Sequence, residues 1–443
     1  MPRNMRWIAL AIVAVAILAF EVHMEWSHRT AEGRDLGIKA LHDEMAVRLA
    51  DDDAMVTASL AARHPFTLGV PDDATDTASN WRELFETWES RRQDETARSQ
   101  WGEVRDLLHT AEERRDLGLF EGDQLALLDA SVATHADIVD GVISLTQRGA
   151  AFPSVTSPSE EKELCGRLTE LSELLDADAV LRTKTGAYDR AIERVTAKTA
   201  LTEGSRFLQY PGTRLTLQVV DNALCRSSTS APCWDGFLTQ LADSRGHERF
   251  VKQMARNSAS VVDRYARFPM SQDKELAEDP VGFLERWTYR YPGAPVYNQH
   301  LNTFSRSMTE MLQLASRPYH EVKARVEELA ASLPPDGTLL ARRCHWVSAL
   351  RANAEGFARQ AYHEANIDLT MLAIQLQRYR ATYGVYPEAL EDLADYLGAA
   401  VPTDPLSGRS YRYERSGASY RLYALGPKAQ PGTDARVFWP GSV

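Results

Sequence analysis

Between Ala365 and Tyr383 the apolar residues Ala365, Leu369, Leu372, Leu376, Tyr379 and Tyr383 recur at intervals of four, three, four, three and four. A helix alone meets that spacing, and the six side chains then form one seam along it. A seam of this length must be covered, by other helices of the chain or by a second copy. The helix is expected from about Leu339, because "LPPDGT" (Leu333 to Thr338) sets two prolines and a glycine ahead of it. Gly384 is placed to end it in a left-handed conformation, and Pro387 suits the first turn of a short helix reaching about Tyr396.

The chain beyond Tyr396 reads as a turn and strands. "VPTDPLSGRS" is turn chemistry, with Asp404 before Pro405 and Ser407 before Gly408. "YRYER" and "SYRLYAL" alternate and are rich in tyrosine. Joined at Ser416-Gly417-Ala418, they predict a β-hairpin, to which "RVFW" (Arg436 to Trp439) can add a third short strand.

Upstream, helical periodicity dominates. The span from about Ser27 to Arg63 reads as one helix. Trp81, Leu84, Trp88, Val104, Leu107 and Leu108 share a face in the next, charge-rich stretch. A further helix is expected over Glu121 to Gln147, through Leu125, Leu128, Val132, Ile138, Val142 and Leu145. Breaks fall at His64–Ser79 and Gly149–Glu160, after which a helical middle section runs to about Ser332. The predicted fold class is therefore mainly α, with an N-terminal anchor, an extended helical region and a small α+β C-terminal domain. Its segments are 1–26 (cytoplasmic tip and signal anchor), 27–150 (helical region), 151–335 (helical middle domain) and 336–443 (long helix with tail).

At the N-terminus, Arg3 and Arg6 precede an apolar run from Trp7 to Phe20. Basic residues stay cytoplasmic, so the chain beyond should face outward. Ile17-Leu18-Ala19 is a poor cleavage site, while Val22, Met24 and Trp26 prolong the apolar character, so the reading is an uncleaved signal anchor rather than a cleaved signal peptide. The chain would then cross the inner membrane once, with its bulk periplasmic. An oxidising compartment makes the four cysteines disulfide candidates. Cys225 and Cys233 bracket a short polar loop and are the favoured pair, which leaves Cys165 and Cys344 as a guessed second one. A net charge of −12 without a basic stripe argues against nucleic acid as a partner.

The C-terminal motifs, in order, are "YRATYGVYPEALEDL", "VPTDPLSGRSYRYER" and "SYRLYALGP". This series resembles the C-terminal domain of the major pseudopilin of type II secretion systems. The matching positions are Tyr379, Gly384, Tyr386, Pro387, Leu390, Leu393, Pro402, Asp404, Pro405, Gly408, Tyr411, Tyr413, Leu425 and Gly426. The arrangement as a whole also resembles a group of bacterial proteins that join a membrane anchor, a long helical region and such a tail. The resemblance implies an envelope protein working by protein–protein contact, with a protein partner or a second copy of itself, beside a secretion or pilus-like apparatus. The chain departs from the pseudopilins in two places. It has no glycine-based peptidase site before Trp7, and Asp434 is the only carboxylate where that family binds calcium.

No nucleophile elbow, HExxH, Walker A or G-x-G-x-x-G motif occurs, so no catalytic, cofactor or metal residue is assigned. The histidines followed by glutamate, His247, His320 and His363, read as solvated helix positions. "FLERWTYRYPGAPVYNQH" (Phe283 to His300) reads as helix–loop packing sooner than as a binding groove. The expected function is non-enzymatic. The alternative is an exported hydrolase whose active site lies in the helical middle domain.

Overall fold

A computed structural model describes residues 22, 25–26, 29–30, 32–47, 75–114, 116–148, 158–204, 214–245, 250–252, 254–255, 258, 295–333, 345–425 and 437–438. The apolar run Trp7–Phe20, the Phe283–His300 cluster up to residue 294, Cys344 and Gly426 lie outside them. Among the described residues no helix is long and apolar enough to cross a membrane.

The chain divides into two compact units, each built from two separate stretches. One comprises Met1–Phe66 and His247–Ala358, the other Thr67–Gly246 and Arg359–Val443. This division cuts across the linear segments expected from the sequence breaks. The C-terminal tail belongs to the same unit as the helices from residue 75 to 245.

In the first unit, residues 32–47 are helical, followed by α9 (Pro295–Leu314), α10 (Tyr319–Ala331) and the opening turns of α11 (His345–Tyr383). Leu41, Met45, Phe304, Met308, Met311, Leu312, Val322, Leu350 and Phe357 form its core. Four of the core residues, Met45, Met254, Met308 and Met311, are methionines, whose flexible thioethers fill irregular gaps between helices. Gly37 permits one close approach: a Cβ there would stand 2.6 Å from Oδ1 of Asn302 on α9.

The second unit opens with α1 (Thr75–Gln93), α2 (Glu95–Arg114), α3 (Asp123–Thr134), α4 (Ala136–Gln147), α5 (Pro158–Lys184), α6 (Tyr188–Gly204), α7 (Arg214–Arg226) and α8 (Pro232–Ser244). Trp81, Trp88, Val104 and Leu108 are buried as their spacing predicts, whereas Leu107 is half-buried. One expected helix is two: the span Glu121–Gln147 breaks at His135, with φ −113° and ψ 16°. The imidazole is buried against Trp88 and Trp101, with centroids 5.3 and 6.0 Å away. Its Nδ1 donates to the Ser131 carbonyl at 2.8 Å, and burial pushes its pKa below the usual imidazole value. Packing an aromatic cluster at this point interrupts an apolar periodicity that would otherwise run on.

Helix α5 is the centre of this unit. Every residue from Leu174 to Leu181 is buried, so the helix is covered on all sides there. It turns through Thr185-Gly186-Ala187 into α6, which packs back against it. The later part of α11, α12 (Leu390–Leu397) and the strands β1 (Arg412–Ser416), β2 (Ser419–Tyr423) and β3 (Val437–Phe438) complete the unit. The sheet is antiparallel in the order β1-β2-β3. Its hairpin register pairs Tyr413 with Leu422 and Arg415 with Tyr420, and β3 adds two residues beside β2.

Candidate functional site

Burial on all sides forces α5 to find partners for its acids. Asp176 and Asp178 are 7% and 1% exposed, and each meets a cation. Lys198 Nζ donates to Asp176 Oδ2 at 2.5 Å and to Thr216 Oγ1 at 2.8 Å, while Thr216 Oγ1 donates to Asp176 Oδ1 at 3.0 Å. Arg194 Nε and Arg182 Nε donate to Asp178 at 2.7 and 2.9 Å. Leaving any member unpaired in this interior would be costly, so the two networks pin α5, α6 and α7 in register. Lys198 is held between a carboxylate and a hydroxyl of neighbouring helices, an arrangement that suits a structural role.

Thr216 also lines a cleft of about 200 Å³ between α6, α7, α8 and α11. Its floor is apolar: Val195, Leu217, Val220, Phe237, Leu241 and Ile367. The Thr199, Ser244 and Thr370 hydroxyls along it donate to carbonyls of their own helices, to Val195, Leu241 and Asn366 at 2.9, 3.1 and 2.7 Å. His363 lines this cleft and is half-buried, not solvated as its sequence setting suggested; His320 is exposed as expected. The described lining residues include one histidine and no acid, so they do not bring together the paired carboxylates of a glycosidase. Nor do the described residues bring three or more His, Cys, Asp or Glu together around a metal-sized space.

The tail positions singled out from the sequence divide by role. Gly384 stands just past α11 at φ 77°, the left-handed conformation expected of it, and its N–H donates to the Arg380 carbonyl at 2.8 Å. Tyr386 is buried at 1% exposure, donates to Gln377 Oε1 at 3.1 Å and packs edge-on against Tyr420 at 4.8 Å. Pro387 is buried, and its carbonyl accepts from the Tyr413 phenol at 2.7 Å. α12 starts later than expected, at Leu390, where Asp392 reaches back to accept from the Glu388 and Ala389 N–H groups.

Asp404 is wholly buried and organises the turn before the hairpin. Its Oδ1 accepts from the Leu406 N–H at 2.9 Å, and its Oδ2 accepts from Ser407 Oγ at 2.7 Å and the Leu425 N–H at 3.3 Å. The Gly408 N–H closes the turn on the Asp404 carbonyl at 2.8 Å, with Gly408 at φ 68°, where a side chain would be strained. Pro405 sits half-buried inside the same turn. Tyr411 donates to Asp368 Oδ2 on α11 at 3.0 Å, and Arg245, just past α8, reaches the same carboxylate through Nε at 2.9 Å. Burial pushes the Asp368 carboxyl up to about 6, against the pull of Arg245 and Tyr411, and pushes the Tyr411 phenol above its usual value. The chain also binds the tail to the helices through Arg378, which donates to the Thr229 carbonyl at 3.0 Å and to Asp235 at 2.7 Å.

The seam itself splits. Ala365, Leu369, Leu372 and Leu376 are buried, and so are Ile367, Ala373 and Ile374 on other sides of the helix. The last two seam residues are not. Tyr379 is half-buried and Tyr383 is 57% exposed. Tyr379, Tyr383 and Tyr396 pack on one another with centroids 4.5, 5.5 and 6.0 Å apart. Val385 and Leu397 beside them are also exposed, at 51% and 36%. Tyr386 thus joins the strand tyrosines, whereas Tyr379 and Tyr383 form a surface cluster with α12.

Cys233 is a thiol in the structure, so the bridge expected to Cys225 is not formed there. The two side chains serve different neighbours. Cys225 is exposed at the end of α7, near Tyr420, whereas Cys233 is half-buried near Asp189 and Glu193 of α6. Burial, reinforced by those acids, pushes the Cys233 thiol up to about 11.

No protein-family model, no curated protein and no solved structure matches this chain.

Proposed function

We propose that the chain is a membrane-anchored, extracytoplasmic protein of the bacterial envelope that works by protein–protein contact through its C-terminal tail, beside a type II secretion or pilus-like apparatus. The observation that carries the reading is the surface cluster of Tyr379, Tyr383 and Tyr396, with Val385 and Leu397 exposed at its edge. Tyrosines supply large, rigid contact area with a hydroxyl that tolerates water, which suits a surface that is sometimes bare. Contiguous exposed apolar surface on an otherwise charged chain favours an interaction role. The tail motifs shared in order with the major pseudopilins support the choice of apparatus, and the apolar run behind Arg3 and Arg6 supports the anchor.

The test is co-purification from native membranes after mild crosslinking, comparing the full chain with its Tyr383→Ser/Tyr396→Ser form. Both residues are exposed, so the variant keeps its fold. Envelope-apparatus components recovered with the unaltered chain and lost with the variant support the reading. Equal recovery, or none, overturns it.

A further inference from the structure

The cleft between α6, α7, α8 and α11 is walled by carbon and by polar groups that are already committed. Thr199, Ser244 and Thr370 are buried, and each has donated its hydroxyl proton to a carbonyl of its own helix. Thr216 accepts from Lys198 and donates to Asp176, so its hydroxyl is spent on that network. Between these hydroxyls Phe237, Val220, Leu241 and Ile367 present buried apolar surface. Towards the other end of the α11 face, Arg359, Tyr362 and His363 each hold a partner already. Half-buried Asn366 adds an amide without charge. Among the described lining residues there is no acid to hold a cation, and the one guanidinium, that of Arg359, is engaged.

From this geometry we infer that the cleft binds an uncharged, largely apolar small molecule, an aryl or short alkyl compound with at most one neutral polar group. An ion of either sign would give up its water for walls that set no counter-charge aside for it, which is costly. A neutral molecule avoids that penalty, and its carbon gains from leaving water against Phe237, Val220 and Ile367. A single ligand hydroxyl is tolerated, because the Thr199, Ser244 and Thr370 oxygens keep lone pairs and Asn366 has an amide. Size follows from volume. A dry apolar cavity of about 150 Å³ takes a benzene ring. About 200 Å³ therefore holds a ring with two or three further carbons. The inference is independent of the protein-contact role of the tail.

The probes share one skeleton and differ in charge: 3-phenylpropanol, the anion 3-phenylpropionate and the cation 3-phenylpropylammonium, titrated calorimetrically into the full chain at neutral pH. The alcohol binds the unaltered protein, and both ions bind about tenfold more weakly or not at all. Leu217→Trp fills the cleft from a half-buried position and abolishes binding of the alcohol, with circular dichroism verifying the fold. Should that variant not fold, Leu217→Phe fills less of the cleft and weakens the alcohol several-fold. Failure of the alcohol to bind folded protein at millimolar concentration overturns the proposal. Equal or tighter binding of either ion does so too. Binding unchanged in the folded Leu217 variant also overturns it, since the alcohol then sits elsewhere, as on the exposed tyrosines of the tail.

Discussion

The phenol of Tyr411, at the mouth of the hairpin, donates to the carboxylate of Asp368, in the middle of the 39-residue helix α11, at 3.0 Å. Forty-three residues separate them, and both are buried, at 3% and 1% exposure. Arg245 completes the contact from the end of α8. One carboxylate thus ties the tail to the helices that carry it, which explains why the tail is part of a larger unit and not an appended domain.

Removing the donor leaves a buried oxygen short of a partner. Tyr411→Phe should destabilise the second unit by about 1–3 kcal/mol, measured by chemical unfolding. The pH dependence has a definite sign. Burial lifts the Asp368 carboxyl to about 6 in the folded protein, above the value near 4 of an unfolded chain. Between those values the folded state holds the proton more tightly, so this group's contribution to stability falls as pH rises from about 4 to about 6. Stability of Asp368→Asn relative to the unaltered protein should therefore rise across that window and level off above it. A difference that stays constant with pH would count against the assignment.

The Asp404 carboxylate accepts from two backbone N–H groups, of Leu406 and Leu425, and from the Ser407 hydroxyl. Asp404→Ala should cost about 3 kcal/mol or more, since several buried donors lose their acceptor together. Asp404→Asn keeps one acceptor oxygen and should cost less. Amide hydrogen exchange at Leu406 and Leu425 checks the cause, because both should lose protection in Asp404→Ala.

The Lys198–Asp176 pair is a case where one substitution does more harm than two. Lys198→Met strands a buried carboxylate and should destabilise by about 3–5 kcal/mol. Adding Asp176→Leu removes the stranded charge and should recover most of that loss. A double-mutant cycle by thermal unfolding reads the coupling. Additive losses would mean that the ion pair is not what aligns α5 with α6.

Cys225 on α7 and Cys233 on α8 should differ in chemistry. With its thiol raised to about 11, Cys233 is almost wholly protonated near neutral pH, and the thiolate is the reactive form. Iodoacetamide should therefore label the exposed Cys225 well before Cys233 in the folded chain, followed by peptide mass spectrometry. Rapid equal labelling, or a Cys225–Cys233 disulfide in freshly purified protein, would contradict the structural placement of Cys233.

Local chemistry is the part legible in the sequence. Gly384 ends its helix, the Asp404–Gly408 segment is a turn, and the tyrosine-rich alternation is a hairpin, because each depends on residues within a few positions. The burial of Trp81 and Trp88 on α1 and of Val104 and Leu108 on α2 is readable for the same reason. Features set by distant partners are not. The break at His135 comes from Trp88 and Trp101 closing on it, and periodicity alone runs straight through. The cleft draws on four helices spread from Val195 to Thr370, and no local pattern marks His363 as half-buried. The seam is uniform in sequence, yet its final two tyrosines extend beyond the neighbours that cover the first four residues. That uncovered end holds the surface the functional reading rests on.

The most direct measurement is site-specific photo-crosslinking in native membranes, with a benzophenone amino acid at Tyr383 and, as control, at the exposed Glu103 on α2. The account predicts a discrete adduct from position 383, to an envelope-apparatus protein or a second copy of this chain, and none from position 103. The same faint background from both positions, in protein that is folded and membrane-bound, would contradict a contact role for the tyrosine cluster.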